Sequence, residues 1–237
     1  MLEQADSSDP GISALGQRHD EHRADVVAAC ADIASRGILS QSGHGNFSAR
    51  LDAERMLLTP SGFSRGLQAD ALAVVRLDGT VEHGLLTAAT KEIVPMHAAV
   101  YRARADVGAV VHTHSPNLTA FAVANQPLPC RYEALLRRGQ ADEVPVVPWA
   151  PRGSELSTTG IVAALDRHPT TFAVLLANHG VLAFASSPSG AATVLVAFEE
   201  AAGAELRAAA LGGGRDFPEG ALESVRRSMR RFAPGQC

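Results

Sequence analysis

Two short apolar runs constrain this chain more than any other feature. Val107–Val111 leads straight into His112, and Phe172–Ala177 leads into Asn178, His179 and Gly180. Apolar runs of this length read as strands buried in a sheet, because a helix of comparable burial needs more residues. Alternate side chains of a strand share one face, so His112 and His114, on either side of Thr113, converge on one side. Two imidazoles placed this way can grip one cation, and His179 at the end of the second run is a candidate third ligand. Three neutral nitrogens that leave one position open describe a catalytic metal site better than a closed structural one.

The remaining pattern fills out an α/β chain. Helical periodicity runs from Ile12 to Ser35, with Gly37 as its stop. Gly43, His44, Gly45 and Asn46 form a glycine-bearing loop that enters a strand, and Met56–Thr59 reads as that strand's partner. Asp78-Gly79, between Ala73–Leu77 and Thr80-Val81, predicts a hairpin through a type I′ turn. Ile93, Met96, His97 and Val100 mark the buried face of a helix over Glu92–Arg104, with Glu92 and Lys91 at its start and Pro95 in its first turn. Further helices are expected over Pro116–Ala124, Gly153–Leu165 and Ser187–Leu211, the last capped by Ser187 ahead of Pro188. Val144–Val147, interrupted by proline, suits a sheet edge. Strands and helices intermix without regular βα alternation. The expected fold is therefore a three-layer α/β/α sandwich on a mixed, mostly antiparallel sheet. Its boundaries are a disordered tail over 1–10, one domain over 11–214, and a tail over 215–237 with a short helix near Leu222–Phe232.

Composition limits the partners. A formal net charge of −4 gives no electrostatic reason to bind nucleic acid or an anionic membrane. No apolar stretch approaches the roughly 18 residues that span a bilayer, and the acidic, polar N-terminus is unlike a signal peptide. Cys30, Cys130 and Cys237 are scattered and odd in number, which points to a reducing, cytoplasmic setting.

Other candidates are anion binders and a base. The glycine loop and the turn Thr59, Pro60, Ser61, Gly62 both present backbone N–H groups and short polar side chains, a combination that suits phosphate. Lys91 adds a positive charge beside them, and Glu92 is the acid/base candidate. His44 is a candidate lining residue. His97 shares its helix's apolar face and reads as a hydrogen-bonded core residue, while His19, His22, His83 and His168 lie in polar surroundings.

Taken in order, Gly45-Asn46-Phe47-Ser48, Thr59-Pro60-Ser61-Gly62, Glu92 with Pro95-Met96-His97 and Tyr101, Val110-Val111-His112-Thr113-His114-Ser115, and Asn178-His179-Gly180 resemble the class II aldolase/adducin family, most of all its fuculose-phosphate aldolase branch. The resemblance implies a homotetramer with sites at subunit boundaries and a divalent metal, zinc first, with manganese, cobalt or iron also acceptable to imidazoles. It implies His112, His114 and His179 as metal ligands. Asn46, Ser61, Gly62, Thr90 and Lys91 become the phosphate pocket, Glu92 the acid/base, and Tyr132 a group delivered from a neighbouring subunit. The implied reaction is cleavage or formation of a short ketose 1-phosphate, with dihydroxyacetone phosphate and an aldehyde as the fragments. Glu92 moves a proton at carbon and Tyr132 one at the aldehyde-side oxygen.

Three features depart from the family pattern, one of them the charge pattern of the segment Arg131 to Glu143, which would help shape the aldehyde end. The family's Glu stands four residues before the histidine matched by His97. Here Ile93 holds that place and Glu92 is one step earlier. Lys91 replaces a small hydroxyl residue, so a substrate carboxylate is a second possible guest, and decarboxylation of a phosphorylated keto acid is the alternative reaction. A non-catalytic, adducin-like scaffold is the alternative to an enzyme. Its domains typically lack the complete ligand set that this chain retains.

Overall fold

The computed structural model describes residues 10–40, 43, 45–62 and 66–232. His44 and nearly all of the tail expected over 1–10 lie outside the described residues. Among the described residues eight strands make one sheet: β1 (Gly45–Arg50), β2 (Arg55–Leu58), β3 (Ala73–Arg76), β4 (Val81–His83), β5 (Ala109–Thr113), β6 (Val146–Val147), β7 (Ala173–Leu176) and β8 (Gly180–Ala185). Their order is β4-β3-β2-β1-β5-β8-β7-β6, and every pairing is antiparallel except β6 with β7. The two histidine-ended runs therefore sit close together, with β8 between β5 and β7. The short, proline-flanked β6 takes the edge, as its sequence predicts.

Each face of the sheet carries its own apolar layer. Helices α1 (Pro10–Ser35), α4 (Pro116–Ala124) and α7 (Pro188–Ala209) cover one face, where Ile33, Phe47, Val111, Leu118 and Phe198 are fully or almost fully buried. Helices α3 (Val94–Ala103) and α6 (Glu155–Arg167) cover the other, over Met56, Met96, Val110, Ile161 and Phe184. Full burial of each such side chain is worth roughly 1.5–3 kcal/mol. Strand alternation assigns the layers: Phe47 and Ala49 enter the first, which sends Asn46 and Ser48 toward α3 in the second. The three-layer α/β/α sandwich is the fold expected above.

Local chemistry sets the ends. Ser187 accepts a hydrogen bond from the Gly190 N–H and caps α7, with Pro188 as its first residue. The Glu199 carboxylate in α7, 5% exposed, accepts from the backbone N–H groups of Asn117 and Leu118. It thereby caps α4, immediately after the strand that carries His112 and leads into His114, and ties that strand's exit to the core. A short helix does form in the C-terminal segment, α8 (Ala221–Phe232).

Two local expectations change. The hairpin between β3 and β4 is not a type I′ turn, because Gly79 (φ 100°) is left-handed and Asp78 is not. The Gly79 N–H reaches the Arg76 carbonyl and the Arg76 N–H reaches that of Thr80. These bonds describe a three-residue loop closed by a glycine bulge. The helix expected over Glu92–Arg104 forms as α3, starting at Val94, and a separate short helix, α2 (Ala88–Lys91), precedes it. Thr87 caps α2 by accepting from the Thr90 N–H, Glu92 is the C-cap of α2, and Ile93 is the N-cap of α3. Lys91 thus lies just ahead of α3, as expected, but also in the last turn of a short helix, and Glu92 lies between the two helices.

Candidate metal centre and anion pocket

The three histidines meet. His112 is on β5, His114 follows β5 by one residue, and His179 sits in the tight turn between β7 and β8. Their ring centroids are 5.1 Å (112–114), 4.7 Å (112–179) and 4.9 Å (114–179) apart. One ring nitrogen from each lies within 4.8 Å of the others. The turn that delivers His179 needs unusual backbone. Asn178 is left-handed (φ 56°), and its N–H bonds to the Ala122 carbonyl on α4. Gly180 is required for another reason. A Cβ there would lie 2.5 Å from the Thr113 carbonyl oxygen and 2.8 Å from the His114 ring, so only glycine lets the two strands bring the imidazoles this close.

The donor set fits a divalent cation. His112 Nδ1 is 2.9 Å from the Val181 carbonyl oxygen. A carbonyl only accepts, so Nδ1 carries the proton and Nε2 is left as a lone-pair donor. Burial, followed by the two neighbouring imidazoles, holds His112 well below the usual histidine range. His179 is pushed down to about 4, first by burial, then by His114 and by the Arg152 guanidinium. Neutral imidazoles are the ligand form that zinc and its neighbours in the first transition row require.

A cavity of about 400 Å³ opens over the triad, within the range of small-molecule sites. Asn46, Ser61, Gly62 and Thr90 line it, so four of the five phosphate candidates share one cavity with the imidazoles. Asn46 stands directly across the β1–β5 ladder from His112. The two glycine-bearing turns pack together, with the Cβ position of Gly62 3.6 Å from the carbonyl oxygens of Gly43 and Gly45.

Three candidates are placed elsewhere. Lys91 and Glu92 are exposed and do not line the cavity; the buried side chain of Ile93 does. The one-residue offset noted in the sequence therefore survives folding. Tyr132 is 40% exposed and borders a separate groove with Arg131 and Glu205. Two polar lining residues went unnoticed in the sequence. Thr87 sits at the α2 cap, its hydroxyl 2.8 Å from that of Thr90. Arg152 is held beside His179 by a turn in which Gly153 (φ 73°) packs against the backbone of Glu92. Thr87 had a detectable signal, a hydroxyl residue before a short helical run. Arg152 had none.

Similarity to known proteins spans most of the chain. Residues 24–206 match the family model described as Class II Aldolase and Adducin N-terminal domain. The chain is 31% identical over 159 residues to a 5-methylthioribulose-1-phosphate/5-deoxyribulose-1-phosphate aldolase of Escherichia coli, an alignment covering 67% of this chain and 70% of that one. It is 35% identical over 171 residues to a 3-oxo-tetronate 4-phosphate decarboxylase of Haemophilus influenzae, covering 68% and 75%. The solved structure of an L-fuculose 1-phosphate aldolase superposes with a TM-score of 0.76 over 89% of this chain and 96% of that one. At 23% identity that likeness speaks to the fold.

Proposed function

We propose that this chain, which belongs to the class II aldolase and adducin family, is a divalent-metal-dependent aldolase that cleaves or forms a short ketose 1-phosphate of the fuculose- or deoxypentulose-phosphate type. The observation that carries the reading is one cavity lined both by three convergent imidazoles and by Asn46, Ser61, Gly62 and Thr90. His112, His114 and His179 hold the ion, zinc being the first expectation. A divalent ion there supplies Lewis-acid polarisation of the ketone oxygen. The amide of Asn46, the hydroxyls of Ser61 and Thr90 and the backbone of Gly62 seat the phosphate, with Lys91 contributing positive charge from the rim. Glu92, next to the lining residue Ile93, transfers the proton at the carbon released when the carbon–carbon bond opens. Tyr132, delivered by a neighbouring copy in a homotetramer, gives or takes the proton on the aldehyde-side oxygen. The free thiols Cys30 and Cys130 support a cytoplasmic setting. No helix among the described residues is long and apolar enough to cross a membrane.

The test is product analysis on metal-replete protein offered a panel of ketose 1-phosphates. Dihydroxyacetone phosphate plus an aldehyde is the expected result, and Glu92→Gln is expected to retain the metal while losing about 100-fold or more in turnover. Full activity in Glu92→Gln would remove Glu92 from the mechanism, and no cleavage of any ketose 1-phosphate would reject the aldolase.

One observation favours a second reaction on the same scaffold. Arg152 lines the cavity beside His179, and among the described residues no carboxylate lines it. A guanidinium in that place suits a substrate carboxylate. Loss of carbon dioxide from a 3-keto acid needs a polarised ketone and a held carboxylate, but no base to remove a carbon-bound proton. If a phosphorylated 3-keto acid is the substrate, carbon dioxide is released, and Arg152→Ala raises its KM roughly tenfold or more. An unchanged KM for the keto acid would dismiss the guanidinium's role.

A further inference from the structure

We propose that Tyr101, Ser48 and His97 are positioning residues for the anion pocket: together they lock the Asn46 amide with its NH2 edge turned into the cavity. The inference rests on the reading of that pocket as a phosphate site. An unconstrained asparagine presents its oxygen or its nitrogen about equally well, and only the nitrogen edge attracts an anion. Here the choice is made by groups behind the wall. Ser48 and His97 are fully buried and Tyr101 is 2% exposed. They form a continuous chain: Tyr101 Oη to Ser48 Oγ at 2.8 Å, Ser48 Oγ to His97 Nδ1 at 2.7 Å, and His97 Nε2 to Asn46 Oδ1 at 2.6 Å.

The direction of the chain follows from its far end. Ser48 Oγ is the hydrogen-bond partner of the Tyr101 hydroxyl, and the buried phenol proton needs an acceptor, so the phenol O–H is directed to Ser48. Ser48 then donates to Nδ1 of His97, the ring proton stands on Nε2, and Asn46 must accept through Oδ1. Nδ2 of Asn46 is left to face the cavity that Asn46 lines. The reverse order would turn the amide oxygen into the pocket. It would also leave the Tyr101 hydroxyl, deep in the core, without an acceptor, and such orphaned groups are rare in folded proteins. Neither Ser48 nor Tyr101 lines the cavity, so both act only through His97 and Asn46.

The experiment is calorimetric titration of inorganic phosphate into the metal-loaded full chain, with metal content measured for every variant. Asn46→Ala is expected to weaken phosphate binding by roughly tenfold or more, and Ser48→Ala by about three- to tenfold at unchanged metal content. In the double variant, Ser48→Ala should add nothing further, because it works through the amide that is already gone. Wild-type affinity in Ser48→Ala, or an equal further loss in the Asn46→Ala background, overturns the relay while leaving the phosphate pocket intact. Absence of phosphate binding by the wild type overturns the pocket itself and the relay with it. If Ser48→Ala fails to fold, Tyr101→Phe repeats the test by removing one buried oxygen. A weakening of about two- to fivefold supports the relay, and no change rejects it.

Discussion

Alanine at His179 is expected to strip the metal from the purified protein and to lower turnover by about a thousandfold or more, with the fold retained. In the proposed centre each imidazole is one of three protein ligands found among the described residues, so losing one leaves a two-ligand site with little hold on a divalent ion. His179 is the better probe than His112 because it is only partly buried. His112 is 3% exposed and donates to the Val181 carbonyl, so its removal would also open a cavity and orphan a backbone acceptor. Elemental analysis, turnover and a thermal melt on His179→Ala separate the two effects. Stoichiometric metal and wild-type turnover in this variant would refute the three-imidazole centre. Chelation of the wild-type protein should produce the same loss of activity, reversed when a divalent ion is restored.

The parts of this site that could be read from the sequence are those encoded locally. Alternation along a strand places His112 and His114 on one side, and an apolar run that ends at His179 announces a strand end. The cap of α7 at Ser187 and Pro188 is likewise written in adjacent residues. What was not legible depends on distant segments meeting. The apolar spacing of Ile93, Met96, His97 and Val100 marks α3 alone and carries no sign of α2 ahead of it. Thr87 starts α2 and Glu92 ends it, so the separation of the two helices at Glu92 and Ile93 is set by caps that the periodicity does not report. Arg152 enters the cavity only because its turn packs on the Glu92 backbone. His97 reads as a core histidine from its helix alone, and it is one. Its contact with Asn46, 51 residues away in sequence, requires the registry of α3 over β1 that only the folded sheet supplies.

Acidification should unfold this protein well before its carboxylates are all protonated, and His97 sets a measurable share of the loss. The ring is enclosed by Ser48, Asn46 and the core of α3. Burial pushes it down to about 3 from an ordinary value of 6.5. The folded chain therefore keeps His97 neutral, while the unfolded chain protonates it as the pH falls through 6.5. The sign follows: the unfolded state binds the extra proton, so the stability is complete above 6.5 and declines down to about 3, where both states are charged. At about pH 4.5 the loss from this one residue is roughly 2–3 kcal/mol, from about 1.4 kcal/mol per pH unit. His112 and His179, also shifted downward, steepen the same limb. Urea midpoints measured across this window should fall with pH in the wild type and fall more gently in His97→Gln, by up to one proton's worth of slope. Equal slopes in the two proteins would mean that His97 already carries its charge inside the fold. Its Nδ1 could then no longer accept from the Ser48 hydroxyl, and the single order of donors from Tyr101 to Asn46 would be lost.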